Sequence, residues 1–217
     1  MFEKKSEFTI HPITVLQDNL VWVWVHNCNA VVIDPSISTP VEEWLLNKNL
    51  SLKAILQTHH HEDHIGGTQD LIKRWPEAKV IASKKDLKRI PFQTISVENN
   101  DFLYMLNSQI KVIEVNGHTI NHIAFYISRK NTKYNILFPG DTLFGGGCGR
   151  LFEGTPSQMF RSLKRINSLP GNTKIYSAHE YTENNLKWAL SLKSNDIAIK
   201  ERLKVVQNKR QNGLPSL

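Results

Sequence analysis

Residues 58–67 read THHHEDHIGG, and this stretch holds four of the chain's nine histidines together with Glu62 and Asp63. In an extended segment, residues i and i+2 point the same way, so His59 and His61 can meet one ion. Asp63 and His64 follow where the chain turns into a helix, and they can aim at a neighbouring point. Imidazole nitrogen and carboxylate oxygen donors suit zinc and related divalent ions. Gly66 and Gly67 are expected to let the backbone turn tightly beneath the cluster. A solvated polar loop is the plain alternative for the same residues.

The flanks give the cluster a place. LKAILQT, residues 52–58, reads as a buried strand, and GTQDLIKRW, residues 67–75, has helical spacing. The histidines therefore sit on a strand-to-helix loop, where a rigid scaffold commonly carries chemistry. Upstream, FTIHPITV (8–15), VWVWVHN (21–27) and AVVIDP (30–35) read as consecutive strands of a meander. PVEEWLLNKN (40–49) reads as a helix with Pro40 in its first turn and Thr39 as its cap.

Downstream, strands are predicted at 79–83, near 94–97, 102–106 and 109–115, then at 123–128, 134–140 and 173–179. Residues 155–167 form an amphipathic helix capped by Thr155, with Pro156 at its first position. Two helices follow near 182–193 and 196–210, the second with Ile199, Leu203 and Val206 on one face. Three further strand ends deliver a metal-ligating residue: His118, Asp141 and His179. A lone histidine at a strand end is usually just exposed. Four strand ends all carrying ligand types point to one shared centre.

Composition narrows the setting. A chain of 217 residues fits one domain and buries a substantial core. Cys28 and Cys148 cannot make a disulfide framework, which favours a reducing compartment. Cys148 reads as a small structural residue. The opening MFEKKSEFTI has no apolar run, so neither a signal peptide nor an anchor is expected. No segment has the roughly 18 apolar residues of a membrane span, and a cytoplasmic location is expected. The net charge of +7 is spread thinly, with small concentrations at Lys84, Lys85, Lys88 and Arg89 and from Lys200 to Arg210. It lacks an aromatic-studded basic stripe, so a solvated surface is preferred over nucleic-acid binding.

THHHEDHIGG, NGHTINHIAFY, FPGDTLFGGGCGRLFEG, AHEYTENNLKWA and the early ITVLQDNLVWVW together resemble the metallo-β-lactamase superfamily. Within it they are most similar to the glyoxalase II, or hydroxyacylglutathione hydrolase, family, nearly end to end. The resemblance implies an α+β fold, a four-layer αβ/βα sandwich with two mixed sheets face to face and the metal site at one edge. It implies a catalytic domain over 1–172 and a C-terminal strand and helices over 173–217, read as a truncated substrate-binding region. It also implies two divalent ions, zinc first, with iron or manganese as alternatives. His59, His61 and His118 would hold one ion, Asp63, His64 and His179 the other, and Asp141 would bridge them. Asp63 is read first as a ligand and second as a base, and Asp141 as catalytic through its bridging position. His60 and Glu62 are not assigned as ligands, and His122 is read as packing or hydrogen-bonding behind His118. Two such ions would lower the pKa of bound water from about 15.7 toward roughly 7, which suits a hydrolase.

The implied reaction is hydrolysis of S-D-lactoylglutathione, or a similar 2-hydroxyacyl-glutathione, to glutathione and a 2-hydroxy acid such as D-lactate. That is the second step of methylglyoxal detoxification. By position, Arg150, Phe152, Tyr181 and Asn185 would contact the glutathione thioester. Relatives often carry Tyr where this chain has Phe152 and Leu20. They also continue past the segment resembling NGLPSL with further basic residues, so a raised KM is expected here. The expected partner is a small-molecule glutathione thioester, with no nucleic acid, no membrane and a monomeric chain. Alternatives are a persulfide dioxygenase using one iron, an RNA-processing metallo-hydrolase and an inactive metal-binding remnant. A β-lactamase is disfavoured by Asp141.

Overall fold

The computed structural model describes residues 8–128 and 133–216. β1 (Phe8–Val15), β2 (Asn19–His26) and β3 (Asn29–Ile33) pair antiparallel in turn, as the predicted meander. After α1 (Thr39–Asn47), β4 (Ser51–Leu56) joins β3 in parallel. The one-turn α2 (Glu62–Ile65) and α3 (Thr68–Arg74) come next. β5 (Lys79–Ser83) and β6 (Ile95–Val97) then complete a six-stranded sheet in the order β1-β2-β3-β4-β5-β6. A 3-10 turn, Lys84–Asp86, follows β5.

The second half builds its own sheet. β7 (Phe102–Met105), β8 (Ser108–Glu114), β9 (Ile123–Ser128) and β10 (Asn135–Phe138) form an antiparallel run. The small hairpin of β11 (Leu143–Phe144) and β12 (Gly147–Cys148) and then α4 (Pro156–Asn167) separate this run from β13 (Thr173–Ile175). β13 returns to pair in parallel with β10 and closes a sheet ordered β13-β10-β9-β8-β7. α5 (Thr182–Leu192) and α6 (Ile197–Gln211) end the described chain.

The pattern of β2 explains the layering. Every residue of NLVWVWVH is buried, so this strand is covered on both faces. Leu20, Trp22 and Trp24 point into the core between the sheets, against Val112, Phe125 and Phe138. Val21, Val23 and Val25 point the other way, onto Val41 and Leu45 of α1 and Leu71 of α3. Each large apolar side chain fully buried there contributes roughly 1.5–3 kcal/mol. On the far side of the second sheet, Ile166 of α4 packs on Val115, Ala124, Tyr126 and Leu137. The result is helix, sheet, sheet, helix: the expected four-layer sandwich with mixed sheets. α5 and α6 pack on each other through Leu186, Leu203 and Val206, with Ile199 partly covered, as the helical spacing predicts.

Several local expectations change. α1 starts at Thr39 itself; its cap position is Ser38, in helical φ/ψ and with no side-chain cap bond. Thr155 does cap α4, in a reciprocal box with Gln158. The strand expected over 173–179 stops at Ile175, because the chain then leaves the sheet to meet β2. There Trp22 Nε1 donates to Ser177 O at 2.9 Å and Leu20 N to Ala178 O at 2.7 Å. The β11–β12 hairpin was not predicted, since two-residue strands carry no periodicity. Among the described residues no helix is long and apolar enough to cross a membrane.

Strand direction positions the site. β9 runs antiparallel to both β8 and β10, and β13 runs parallel to β10. β8, β10 and β13 therefore end at the same edge, and His118, Asp141 and His179 each lie three or four residues beyond one of those ends. The loop after β4 reaches the same edge, where Ile123 N donates to Thr58 O at 3.0 Å across the two sheets.

Candidate metal centre

The seven expected ligand residues converge at that edge. The ligand atoms of His59, His61 and His118 lie within 4.8 Å of one another, and so do those of Asp63, His64 and His179. His61 Nδ1 stands 3.1 Å from both His59 Nε2 and His118 Nε2. In the second set, Asp63 Oδ2 stands 3.4 Å from His179 Nε2 and 3.6 Å from His64 Nε2. Asp141 lies between the sets with its two oxygens divided. Oδ2 is 3.4 Å from His118 Nε2, while Oδ1 is 3.4 Å from His64 Nε2 and 3.3 Å from His179 Nε2. With bonds of about 2.0–2.1 Å, neighbouring donors around a tetrahedral ion stand roughly 3.3–3.4 Å apart.

The outer nitrogens fix the tautomers. His118 Nδ1 lies 2.8 Å from Arg150 O, which can only accept, so Nδ1 carries the proton. His179 Nδ1 meets the Asp18 carboxylate at 2.8 Å, and His64 Nδ1 meets Asp34 Oδ2 at 3.2 Å. Thr58 gives its hydroxyl proton to Asp34 Oδ2 at 2.7 Å, so its oxygen accepts from His59 Nδ1 at 3.0 Å. These partners assign all four rings to one tautomer, with the Nε2 lone pair facing inward. The Nε2 atoms of His64 and His179 then face each other at 3.4 Å. Asp141 Oδ1 is buried and makes no hydrogen bond of acceptable geometry, despite the two nitrogens beside it. Converging lone pairs around a buried carboxylate repel unless a cation lies among them. The donor set therefore fits divalent ions.

The metallo-β-lactamase superfamily model matches residues 13–199. A hydroxyacylglutathione hydrolase of Prochlorococcus marinus strain NATL2A is 74% identical over 217 residues, covering 100% of this chain and 86% of the relative. The chain belongs to the metallo-β-lactamase superfamily, among the hydroxyacylglutathione hydrolases. A relative of the same name from Parasynechococcus marenigrum strain WH8102 is 49% identical, over 96% of this chain and 85% of its own. Among solved structures, ETHE1 from Myxococcus xanthus superposes with a TM-score of 0.69 at 25% identity, covering 80% of this chain and 76% of that one. TTHA1623 in a di-iron-bound form gives 0.64 at 26% identity, covering 78% and 91%.

In this superfamily member the ligand loops are held by two residues with no role expected from the sequence, Asp34 and Asn19, and by His122. Asp34, 3% exposed, accepts from Thr58 N, Thr58 Oγ1 and His64 Nδ1. Asn19 donates to Asp63 Oδ2 and Asp63 O, both at 3.1 Å. His122 stacks on His59, with ring centroids 4.6 Å apart, and its Nε2 accepts from Asp141 N at 3.1 Å. It stands behind His59 rather than His118. Burial, then the charge of His118, pushes its pKa down to about 3, so it stays neutral and free to accept. Gly66 and Gly67 also differ from expectation. Their φ values of −55° and −81° are ordinary. They are glycines because the neighbouring chain lies against them: an added Cβ would sit 2.6 Å from Ser36 O and 2.5 Å from Ile37 C, respectively.

Burial and charge compete across the cluster. Burial, then the charges of His64 and His122, push His59 well below its ordinary value. For His64 burial pulls the same way, yet the Asp141 and Asp34 carboxylates outweigh it and raise the ring well above the usual value. Burial alone would raise Asp141, but His64 and His179 hold it well below the carboxylate range. Asp141 is thus a stable buried anion. The proton it draws onto His64 and a metal ion compete for one lone pair.

The expected substrate residues ring this centre unevenly. Phe152, 59% exposed, stands edge-on to His61 and His118, with centroids 5.4 and 5.3 Å away. The exposed Arg150 guanidinium sits 5.4 Å over the Phe152 ring. Tyr181 stacks flat on His179 at 4.8 Å, and burial, then Asp18, push its hydroxyl pKa up to about 12. Asn185 spends its amide on Gly145 O at 3.2 Å, so in this structure it braces the β11–β12 hairpin. Cys148, in that hairpin, is exposed and free, as is Cys28. A cavity of about 700 Å³ is lined by Trp22, Phe144 and Tyr176 among others and by none of the seven ligand residues.

Proposed function

We propose that this chain is a metal-dependent thioester hydrolase that cleaves S-(2-hydroxyacyl)glutathione, with S-D-lactoylglutathione the preferred case. The products are glutathione and a 2-hydroxy acid, D-lactate, as in methylglyoxal detoxification. The observation that carries this reading is Asp141, buried between two ligand sets with one oxygen turned to each. The shared name of relatives at 74% and 49% identity supports it over the dioxygenase and RNA-processing readings.

His59, His61 and His118 would hold one ion, Asp63, His64 and His179 the second, and Asp141 both. Zinc suits the donors best, with iron or manganese as alternatives. Divalent ions so held supply Lewis acidity and acidify bound water. The chain's own residues do the rest. Asp141 stays charged and fixes the separation of the two sets. Asn19 orients Asp63, whose carboxylate is the more exposed of the two and is read first as a ligand and second as a base. Tyr181 keeps its hydroxyl proton at neutral pH and can donate it to the thioester. Arg150 can pair with a substrate carboxylate through its planar fork, beside the apolar surface of Phe152. We place Tyr181 and Asn185 in a substrate-binding portion over 173–217, set against a catalytic portion over 1–172. We infer a monomer acting in the cytoplasm, on a small molecule and on neither nucleic acid nor membrane. The free cysteines are consistent with that location.

The test is loss of thioester absorbance with S-D-lactoylglutathione, run beside oxygen uptake on glutathione persulfide. Chelator-sensitive thioester cleavage without oxygen uptake is the expected result. Oxygen uptake without cleavage would move the chain to the dioxygenase reading.

A further inference from the structure

A second polar cluster lies directly behind the first ligand set and involves none of its donor atoms. Asp86, in the 3-10 turn after β5, is completely buried. Its Oδ1 accepts from Arg89 Nε at 3.0 Å, from Arg89 Nη2, and from Asn121 Nδ2 at 2.7 Å. The remaining nitrogen of Arg89, Nη1, donates to Glu153 Oε1 at 2.6 Å and lies 3.3 Å from His60 Nε2. Glu153 turns its other oxygen to Ile120 N at 2.9 Å. One guanidinium therefore ties the turn at 84–86 directly to the loops bearing His60 and Glu153, and through Asp86 and Glu153 to the loop bearing Ile120 and Asn121.

Those loops carry the first ligand set. His60 lies between His59 and His61, and Ile120 and Asn121 follow His118. Glu153 N and Phe152 N donate to His118 O at 3.3 and 3.1 Å, and Arg150 O holds the His118 ring. His61 and His118 come from different loops, yet their donor atoms stand 3.1 Å apart. The second set is anchored by Asp34, Asn19 and Asp18, of which Asp34 also reaches His59 through Thr58.

We propose that Arg89 is a positioning residue. It sets the separation of the His61 and His118 loops, and so tunes ion affinity at the His59, His61 and His118 set and not at the other. This rests on reading the centre as a divalent-ion site. A planar fork is needed because Nε and Nη2 serve Asp86 while Nη1, on the far side of the fork, serves Glu153; an ammonium presents all its donors from a single nitrogen and does not span the two carboxylates.

Zinc affinity measures this without any turnover. Two single-site backgrounds separate the sets: His179→Ala leaves the first, and His61→Ala leaves the second. Competition with a chromophoric chelator is then run on the full chain with Arg89→Lys or Glu153→Gln added. Lost outer partners typically weaken metal binding about 10–100-fold, and that loss is expected in the His179→Ala background, with under about twofold change in the other. Equal losses in both backgrounds, or no loss in the first, would overturn the proposal. Removing the fork from a buried carboxylate endangers folding, so Glu153→Gln, which leaves the Asp86–Arg89 pair intact, decides the matter if Arg89→Lys fails to fold. A parent chain that binds no zinc would refute the underlying metal reading instead, before any variant is compared.

Discussion

Behind His59 and His118 stand a hydroxyl and a backbone carbonyl; behind His64 and His179 stand two carboxylates, Asp34 and Asp18. The second set also contains a carboxylate ligand, Asp63, whereas the first is all imidazole. The two halves of one centre are therefore electrostatically unlike. Carboxylate partners raise the basicity of an imidazole and hold its ring more firmly. The second set is thus the stronger trap for a cation. The first is held chiefly by the geometry of its loops. Asp141 is the group whose own oxygens face both sets, which ranks the variants.

The largest effect is expected at Asp141→Asn, which removes the shared charge. A loss of about 4 kcal/mol of electrostatic stabilisation corresponds to roughly a thousandfold drop in turnover. Initial rates and ions bound per chain should fall together. Retained activity would remove Asp141 from the mechanism and make the two sets independent. Asp34→Asn comes next, because Asp34 serves His64 directly and His59 through Thr58. Zinc affinity should fall about 10–100-fold and should do so at both sets. Chemical denaturation of the metal-stripped chain should show a stability loss of about 1–3 kcal/mol from its broken buried hydrogen bonds. Asp18→Asn should weaken only the second set, by about tenfold, as read in the single-site backgrounds; equal losses at both sets would dissolve the contrast. Phe152→Tyr should do least. Its ring is exposed and lies against the first set, so stability should hold. One added hydrogen bond of about 0.5–1.5 kcal/mol would lower KM roughly 2–10-fold.

The candidate ligand residues that converge at one edge were legible in the sequence and their supports were not, for a physical reason. Donors cluster locally at strand ends, so spacing and residue type reveal them. Supports act across the fold: Asp34 reaches a histidine 30 residues away, and Asp18 one 161 residues away. AVVIDP reads only as a strand stopped by Asp-Pro, although its aspartate holds two ligand loops. Lys84, Lys85, Lys88 and Arg89 read as a small concentration of surface charge, and Arg89 is instead the half-buried hub of a cluster around the buried Asp86. The spacing of Asp86 and Arg89, three apart, was the available hint. The layers were readable because β2 alternates Trp and Val to two different cores. The glycine pair was placed correctly and explained wrongly, since close approach of another segment leaves no local trace.

The most direct test titrates zinc into the metal-stripped chain while following loss of S-D-lactoylglutathione. With two ions sharing one centre, turnover should climb until two ions are bound per chain and then level. Full turnover with one ion, or two ions bound with no thioester cleaved, would contradict this.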